Sequence, residues 1–153
     1  MKPRSSLRLF RSILALLCSL VVADAAALCV TSTEANLRSG PGTKYTKSWE
    51  VYRYMPLQKI ERRGNWYRVR DIDGERHWIH KSLVGSGMRC AAVKAPKANI
   101  RTGPGTNYRQ AAWGPVIRYY SFAIIGGKGR WVKIRDEIGN SGWVAKSLLW
   151  EQP

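Results

Sequence analysis

Apolar and polar side chains alternate most cleanly at two places in the chain, YRVR at 67–70 and VKIR at 132–135. A period of two puts successive side chains on opposite faces of a pleated backbone, so each tetrapeptide predicts a half-buried β-strand. LQKIER at 57–62 alternates less regularly. Apart from an apolar run near the N-terminus, no segment carries a sustained helical stripe. Turn signals arrive often, at Gly40-Pro41-Gly42, Gly64-Asn65, Asp73-Gly74, Gly126-Gly127 and Gly139-Asn140. Short strands between frequent turns predict an all-β chain of small barrel type.

The pattern is written twice. NLRSGPGTKY (36–45) returns as NIRTGPGTNY (99–108), and WYRVRDIDGERHWIHKSLV (66–84) returns as WVKIRDEIGNSGWVAKSLL (131–149). The first pair is offset by 63 positions and the second by 65, so the second copy carries two extra residues in between, one of them before Trp113, the counterpart of Trp49. Such self-similarity indicates an internal duplication. The small-residue stretch Val84–Arg89 reads as a linker, giving two units, 29–86 and 88–150. Units this small bury only about 60% of their extended-chain surface. In the repeated phrase, Pro41 and Pro104 fix φ at the second position of a turn. Gly42 and Gly105 are expected at positive φ in a type II turn, and Gly40 and Gly103 are expected to be extended before proline. Leu37 is expected to point into the barrel and Arg38 outward, with the Tyr45 ring covering one end of the core.

Lys2, Arg4, Arg8 and Arg11 precede the uncharged run Ile13–Ala23, which ends at the small-x-small motif Ala23-Asp24-Ala25. This arrangement reads as a secretory signal peptide over residues 1–25, with Ala27 as a second possible cleavage point. The run is shorter than the roughly 20 residues of a spanning helix, no later run approaches that length, and neither a lipobox nor a twin-arginine pair is present. The expected location is the periplasm or the exterior. Loss of Lys2, Arg4, Arg8, Arg11 and Asp24 lowers the net charge from +16 to +13, so the mature chain remains strongly basic. Its partners are therefore expected among anionic envelope components rather than nucleic acid. Cys29 and Cys90 remain, an even number at matching places before the first strand of each copy, which suits an intrachain bridge. Free thiols and a bridge between chains are the alternatives.

Taken together, N-[LI]-R-x-G-P-G-x-x-Y, then G-x-W-x-x-[VI], then G-x-x-[GH]-W-[IV]-x-x-x-x-[LV] resembles the bacterial SH3-like domain, over essentially the whole mature chain. The pieces are Asn36–Tyr45, Gly64–Val69 and Gly74–Val84, and again Asn99–Tyr108, Gly129–Ile134 and Gly139–Leu149. The resemblance implies two tandem barrels of five to seven strands. It also implies export and a cell-wall-targeting role, and the tandem form is similar to a proteobacterial periplasmic subfamily. His77 departs from the glycine usual in that family, which stands as Gly142 in the second copy, so the strand before Trp78 is expected to bend differently.

Candidate chemistry is sparse. His77 and His80 have Gly142 and Ala145 as counterparts, so they read as exposed strand-end histidines; no metal-ligand spacing accompanies them, and neither a metal nor a cofactor is expected. Asp71 and Asp136 read as turn aspartates paired with a neighbouring arginine. No nucleophile–base arrangement stands out, so the chain is expected not to be an enzyme. Trp66, Trp78, Trp131 and Trp143 are repeat-matched within strands and are expected in or beside the core. Tyr45, Trp49, Tyr108 and Trp113 follow the glycine-proline turns and, with Arg38 and Arg101, form the expected ligand surface, through stacking and charge-assisted hydrogen bonds. Peptidoglycan, through its peptide stems, is the first expected partner; a periplasmic protein held in a barrel groove is the second.

Overall fold

The structure, a computed structural model, describes residues 26–151. The expected signal peptide lies outside the described residues. What is described is two β-barrels in sequence. The first is a seven-stranded sheet formed by β1 (Ala27–Val30), β2 (Glu34–Arg38), β3 (Lys47–Tyr52), β4 (Pro56–Arg63), β5 (Trp66–Arg70), β6 (Arg76–His80) and β7 (Val84–Gly85). The spatial order is β3-β2-β6-β5-β4-β1-β7. The second begins with β8 (Cys90–Val93), β9 (Lys97–Ala98), β10 (Val116–Ile117) and β11 (Ser121–Lys128). It continues with β12 (Trp131–Arg135), β13 (Ser141–Ala145) and β14 (Leu149–Glu151). Here β13-β12-β11-β8-β14 form one sheet and β10-β9 a separate ribbon. The repeated Lys-Ser-Leu triplets form matching single turns of 3₁₀ helix, Lys81–Leu83 and Lys146–Leu148.

The period-two pattern sets the cores. Leu37, Val51, Leu57, Val69 and Ile79 are fully buried in the first barrel; Ile100, Phe122, Ile134 and Val144 are fully buried in the second. Each such aliphatic side chain contributes about 1.5–3 kcal/mol on leaving water. The two extra residues of the second copy change one edge. In the first barrel β2 and β3 pair from Glu34↔Tyr52 to Arg38↔Lys47. In the second only Ala98↔Val116 and Lys97↔Ile117 pair, with an isolated bridge at Arg101↔Gln110 and a cis Gly114–Pro115 peptide between them.

The glycine-proline turn differs from its expected geometry. Neither Gly42 nor Gly105 has positive φ. The Gly42 N–H donates to the Gly40 carbonyl at 3.0 Å, closing a three-residue turn on Pro41, and the Tyr45 N–H donates back to the Gly42 carbonyl at 3.2 Å. Gly40 is the demanding position. A Cβ there would lie 2.4 Å from the Tyr45 ring, and one at Gly103 would lie 2.2 Å from the Tyr108 ring. The glycine is required so that the tyrosine can fold flat onto the turn. Tyr45 accordingly packs on the turn and is not part of the core. Gly126-Gly127 is not a turn either: both residues lie within β11, next to the register shift between Ile124 and Gly126, and the reversal comes at Gly129, as at Gly64.

The barrels are joined firmly. Cys29 and Cys90 form an intrachain disulfide, with Cα atoms 6.0 Å apart. Ala92 of β8 packs into the first core. Asp73 accepts from the Arg118 guanidinium at 2.6 Å and from the Tyr119 hydroxyl at 2.8 Å. The Ser121 hydroxyl donates to the Arg53 carbonyl at 2.8 Å, and the Tyr119 and Trp49 rings meet edge-on at 5.3 Å.

Candidate functional site

In the second barrel the side chains of the segment from β9 to Arg101 face the outward side chains of β12 and β13 across a groove. Lys97, Asn99 and Arg101 form one wall, Trp131 and Ala145 the other, and Thr106 and Leu148 close the ends, around about 340 Å³. The opening continues past Thr106 and Trp131 toward Arg130 and Lys146. Trp131 is half-buried and lines this wall. In the β12–β13 ladder it stands opposite Ala145, whose methyl group covers little of the indole. Arg101 is held in place by the repeated turn: its Nη1 donates to the Thr106 and Tyr108 carbonyls at 3.1 and 2.8 Å. A guanidinium carries five donors, and no acceptor among the described residues takes Nε or Nη2, so this groove-lining arginine keeps donors to spare. A fixed arginine, a lysine and a groove-lining indole can together hold a carboxylate and stack against an apolar or sugar face.

The first barrel repeats the frame with a different filling. Arg38 donates to the Thr43 and Tyr45 carbonyls at the same 3.1 and 2.8 Å. Opposite Trp66, however, stands His80, with its ring edge-on to the indole at 5.3 Å and Nδ1 2.7 Å from the Ser82 hydroxyl. The imidazole takes the volume that Ala145 leaves free. Glu34 occupies the position of Lys97, which reverses one wall charge.

The expected ligand residues are therefore divided. Arg101 lines the groove, and Tyr108 lies on the turn beside it. Trp49 and Trp113 are not exposed platforms: both are half-buried and pack against the two cores, with Trp49 also under Tyr119 and the Trp113 Nε1–H donating to the Ser141 carbonyl at 3.3 Å. Of the tryptophans expected in or beside the core, Trp78 is buried and Trp66, Trp131 and Trp143 are half-buried, but none joins either core cluster. All four stand on the outward side of their ladders, where Arg63 lies 5.1 Å from the Trp78 ring. Sequence reasoning places Trp131 in or beside the core and does not single out Lys97, Asn99 or Ala145, because the face a strand residue takes depends on register. The cross-strand pairing of Trp131 with an alanine was the signal.

The aspartates hold turns, but not with arginine. Asp71 accepts from the Asp73 and Glu75 N–H groups and meets His77 Nε2 at 3.0 Å. Asp136 accepts from the Ile138 and Asn140 N–H groups and from the Asn140 side chain at 2.9 Å. His77 is consequently largely buried rather than exposed, and its Nδ1 lies 2.8 Å from the Ser48 hydroxyl. This Ser48–His77–Asp71 chain has the residue types of a hydrolytic triad. Its carboxylate, though, does the same turn-holding work in the second barrel, where Asn140 supplies the donor and Ala112 and Gly142 replace serine and histidine. β6 and β13 each pair over five residues with the preceding strand. No metal-binding cluster occurs among the described residues, and no helix there is long and apolar enough to cross a membrane.

A family model described as the bacterial SH3 domain matches residues 31–85 and again 94–151. The chain belongs to the bacterial SH3 domain family. The two matched stretches coincide with the two barrels. Among similar proteins is one from Bacillus subtilis (strain 168) named "Putative N-acetylmuramoyl-L-alanine amidase YrvJ", 26% identical over 130 residues that cover 78% of this chain. This bacterial SH3 protein spans only 24% of that relative's length. Among solved structures, NlpC2 from Trichomonas vaginalis is 15% identical with a TM-score of 0.35, covering 84% of this chain and 48% of its own. An NlpC/P60 family protein from Bacillus cereus ATCC 10987 is 9% identical with a TM-score of 0.39, covering 83% and 56%.

Proposed function

We propose that this bacterial SH3 protein is an exported, non-enzymatic binding module for peptidoglycan, and that the groove of the second barrel takes the peptide stems. The observation that carries the reading is the groove itself: the Trp131 ring facing Lys97 and a turn-fixed Arg101. Stem peptides present carboxylates to the cations and apolar side chains to the indole. Two further facts support it. The family match covers both barrels, and a relative bears a name that places it on the muramoyl–alanine bond of the cell wall. The disulfide and the basic surface suit an oxidising, polyanionic compartment. Of the residues first expected to bind, Arg101 and Tyr108 stay in the site, Arg38 and Tyr45 keep the corresponding turn of the first barrel, and Trp131 replaces Trp113.

The test is co-sedimentation of the mature, oxidised protein with purified sacculi at low and high salt, beside Trp131→Ala. Retention that weakens with salt and falls with Trp131→Ala is expected. No retention in either buffer overturns the reading. Saturable cross-linking to an envelope protein by a chain indifferent to sacculi would establish the adaptor role instead.

A further inference from the structure

A second cavity, of about 150 Å³, lies between the barrels and is lined by Tyr52, Arg53, Tyr119, Tyr120, Asp136 and Glu137. It does not belong to the repeat. The counterparts of Tyr52, Tyr120 and Glu137 are Ile117, Met55 and Ile72, so neither barrel alone contains such a site. It exists because the disulfide and the Asp73–Arg118–Tyr119 contacts fix the barrels against each other. The tyrosine walls are held from behind: the Tyr52 hydroxyl donates to Glu50 at 2.9 Å and the Tyr119 hydroxyl to Asp73 at 2.8 Å, leaving their rings to face the space.

The charges select the ligand. Asp136 and Glu137 make this a locally negative spot on a strongly basic protein. The Tyr120 hydroxyl is pushed up from its ordinary pKa, first by burial and then by these two carboxylates. Aromatic faces beside carboxylates favour an ammonium group. A simple cation would nonetheless meet the positive charge of Arg53, which also lines the cavity. A simple anion would pair with Arg53 but meet both carboxylates. A molecule with both signs a few ångströms apart satisfies both walls. The volume falls below the roughly 300–1,000 Å³ of drug-sized sites and suits a group the size of a single amino acid.

We infer that the inter-barrel cavity binds a small zwitterion of the α-amino-acid type, its ammonium toward Glu137 and the tyrosine rings and its carboxylate toward Arg53. The site is independent of the groove in the second barrel. The test is NMR titration of the mature, disulfide-bonded protein with alanine, with N-acetylalanine, which lacks the ammonium, and with alanine amide, which lacks the carboxylate. Alanine is expected to shift the Arg53, Tyr120 and Ser121 amides saturably and leave the Trp131 indole unmoved. Each analogue should bind at least about tenfold more weakly, and Glu137→Gln and Arg53→Met should each weaken alanine by a similar factor. No saturable shift with alanine, equal binding of all three probes, or shifts centred on Trp131 would overturn the inference.

Discussion

In the first barrel the residue across the ladder from Trp66 is His80; in the second, the residue across from Trp131 is Ala145. The turn beside each tryptophan is nearly superimposable in its bonding, down to the same two hydrogen-bond lengths from Arg38 and Arg101. The two copies thus share one frame and differ in its filling, His80 for Ala145 and Glu34 for Lys97. A second exchange runs the other way. His77 reaches into the first barrel's turn to satisfy Asp71, whereas Gly142 leaves its space to Ile100, whose Cγ2 would lie 2.5 Å from an added Cβ. Duplication kept the cage of hydrogen bonds and let the two copies diverge in filling.

That comparison can be broken at several strengths. The largest effect comes from separating the copies. The bridge spans a sequence separation of 61 residues, so Cys29→Ser with Cys90→Ser is expected to lower unfolding free energy by about 4 kcal/mol, read by urea denaturation. Next is the exchange at 77 and 142. Gly142→His forces a side chain against Ile100 and the Arg101 carbonyl and is expected to cost about 3 kcal/mol. The reverse exchange, His77→Gly, removes one hydrogen bond to a buried carboxylate and is expected to cost about 1–2 kcal/mol. Equal costs would mean that the two positions are not specialised. The smallest effect concerns the junction. Hydrogen bonding from Arg118 lowers the Asp73 pKa, so the contribution of this pair is complete above the ordinary aspartate range near 4 and is lost as pH falls through the lowered value. A small stability difference between the wild type and Asp73→Asn is therefore expected at neutral pH and should shrink as acidification carries the pH below the ordinary aspartate range, measured by thermal melts across pH.

Much of the architecture could be read from residues. The duplicated Asn-x-Arg-x-Gly-Pro-Gly phrase announced two copies, and the alternation of Tyr67 with Val69 and of Val132 with Ile134 identified inward faces. Two cysteines at matching places suited a bridge, with free thiols and an interchain link as alternatives, and the structure holds the intrachain bond. What could not be read was the role of individual residues whose type fits two environments. Gly-Pro-Gly suits a type II turn, yet the demand comes from the Tyr45 and Tyr108 rings, each five residues further along the chain, which pack onto Gly40 and Gly103. Tryptophan in a strand suits a core, yet Trp66, Trp78, Trp131 and Trp143 sit on the outward parity of their ladders, and parity depends on register, which one sequence leaves open. The inter-barrel cavity was invisible for a similar reason: its walls come from unmatched positions of two units whose docking no local pattern encodes.

The most direct measurement exchanges the groove residues and asks which copy holds the wall. Ala145→His should place an imidazole against Trp131 and lower sacculus retention by about tenfold, with stability unchanged, while His80→Ala, opening the first groove, should leave retention equal or greater. Full retention by a folded Ala145→His protein would contradict the account.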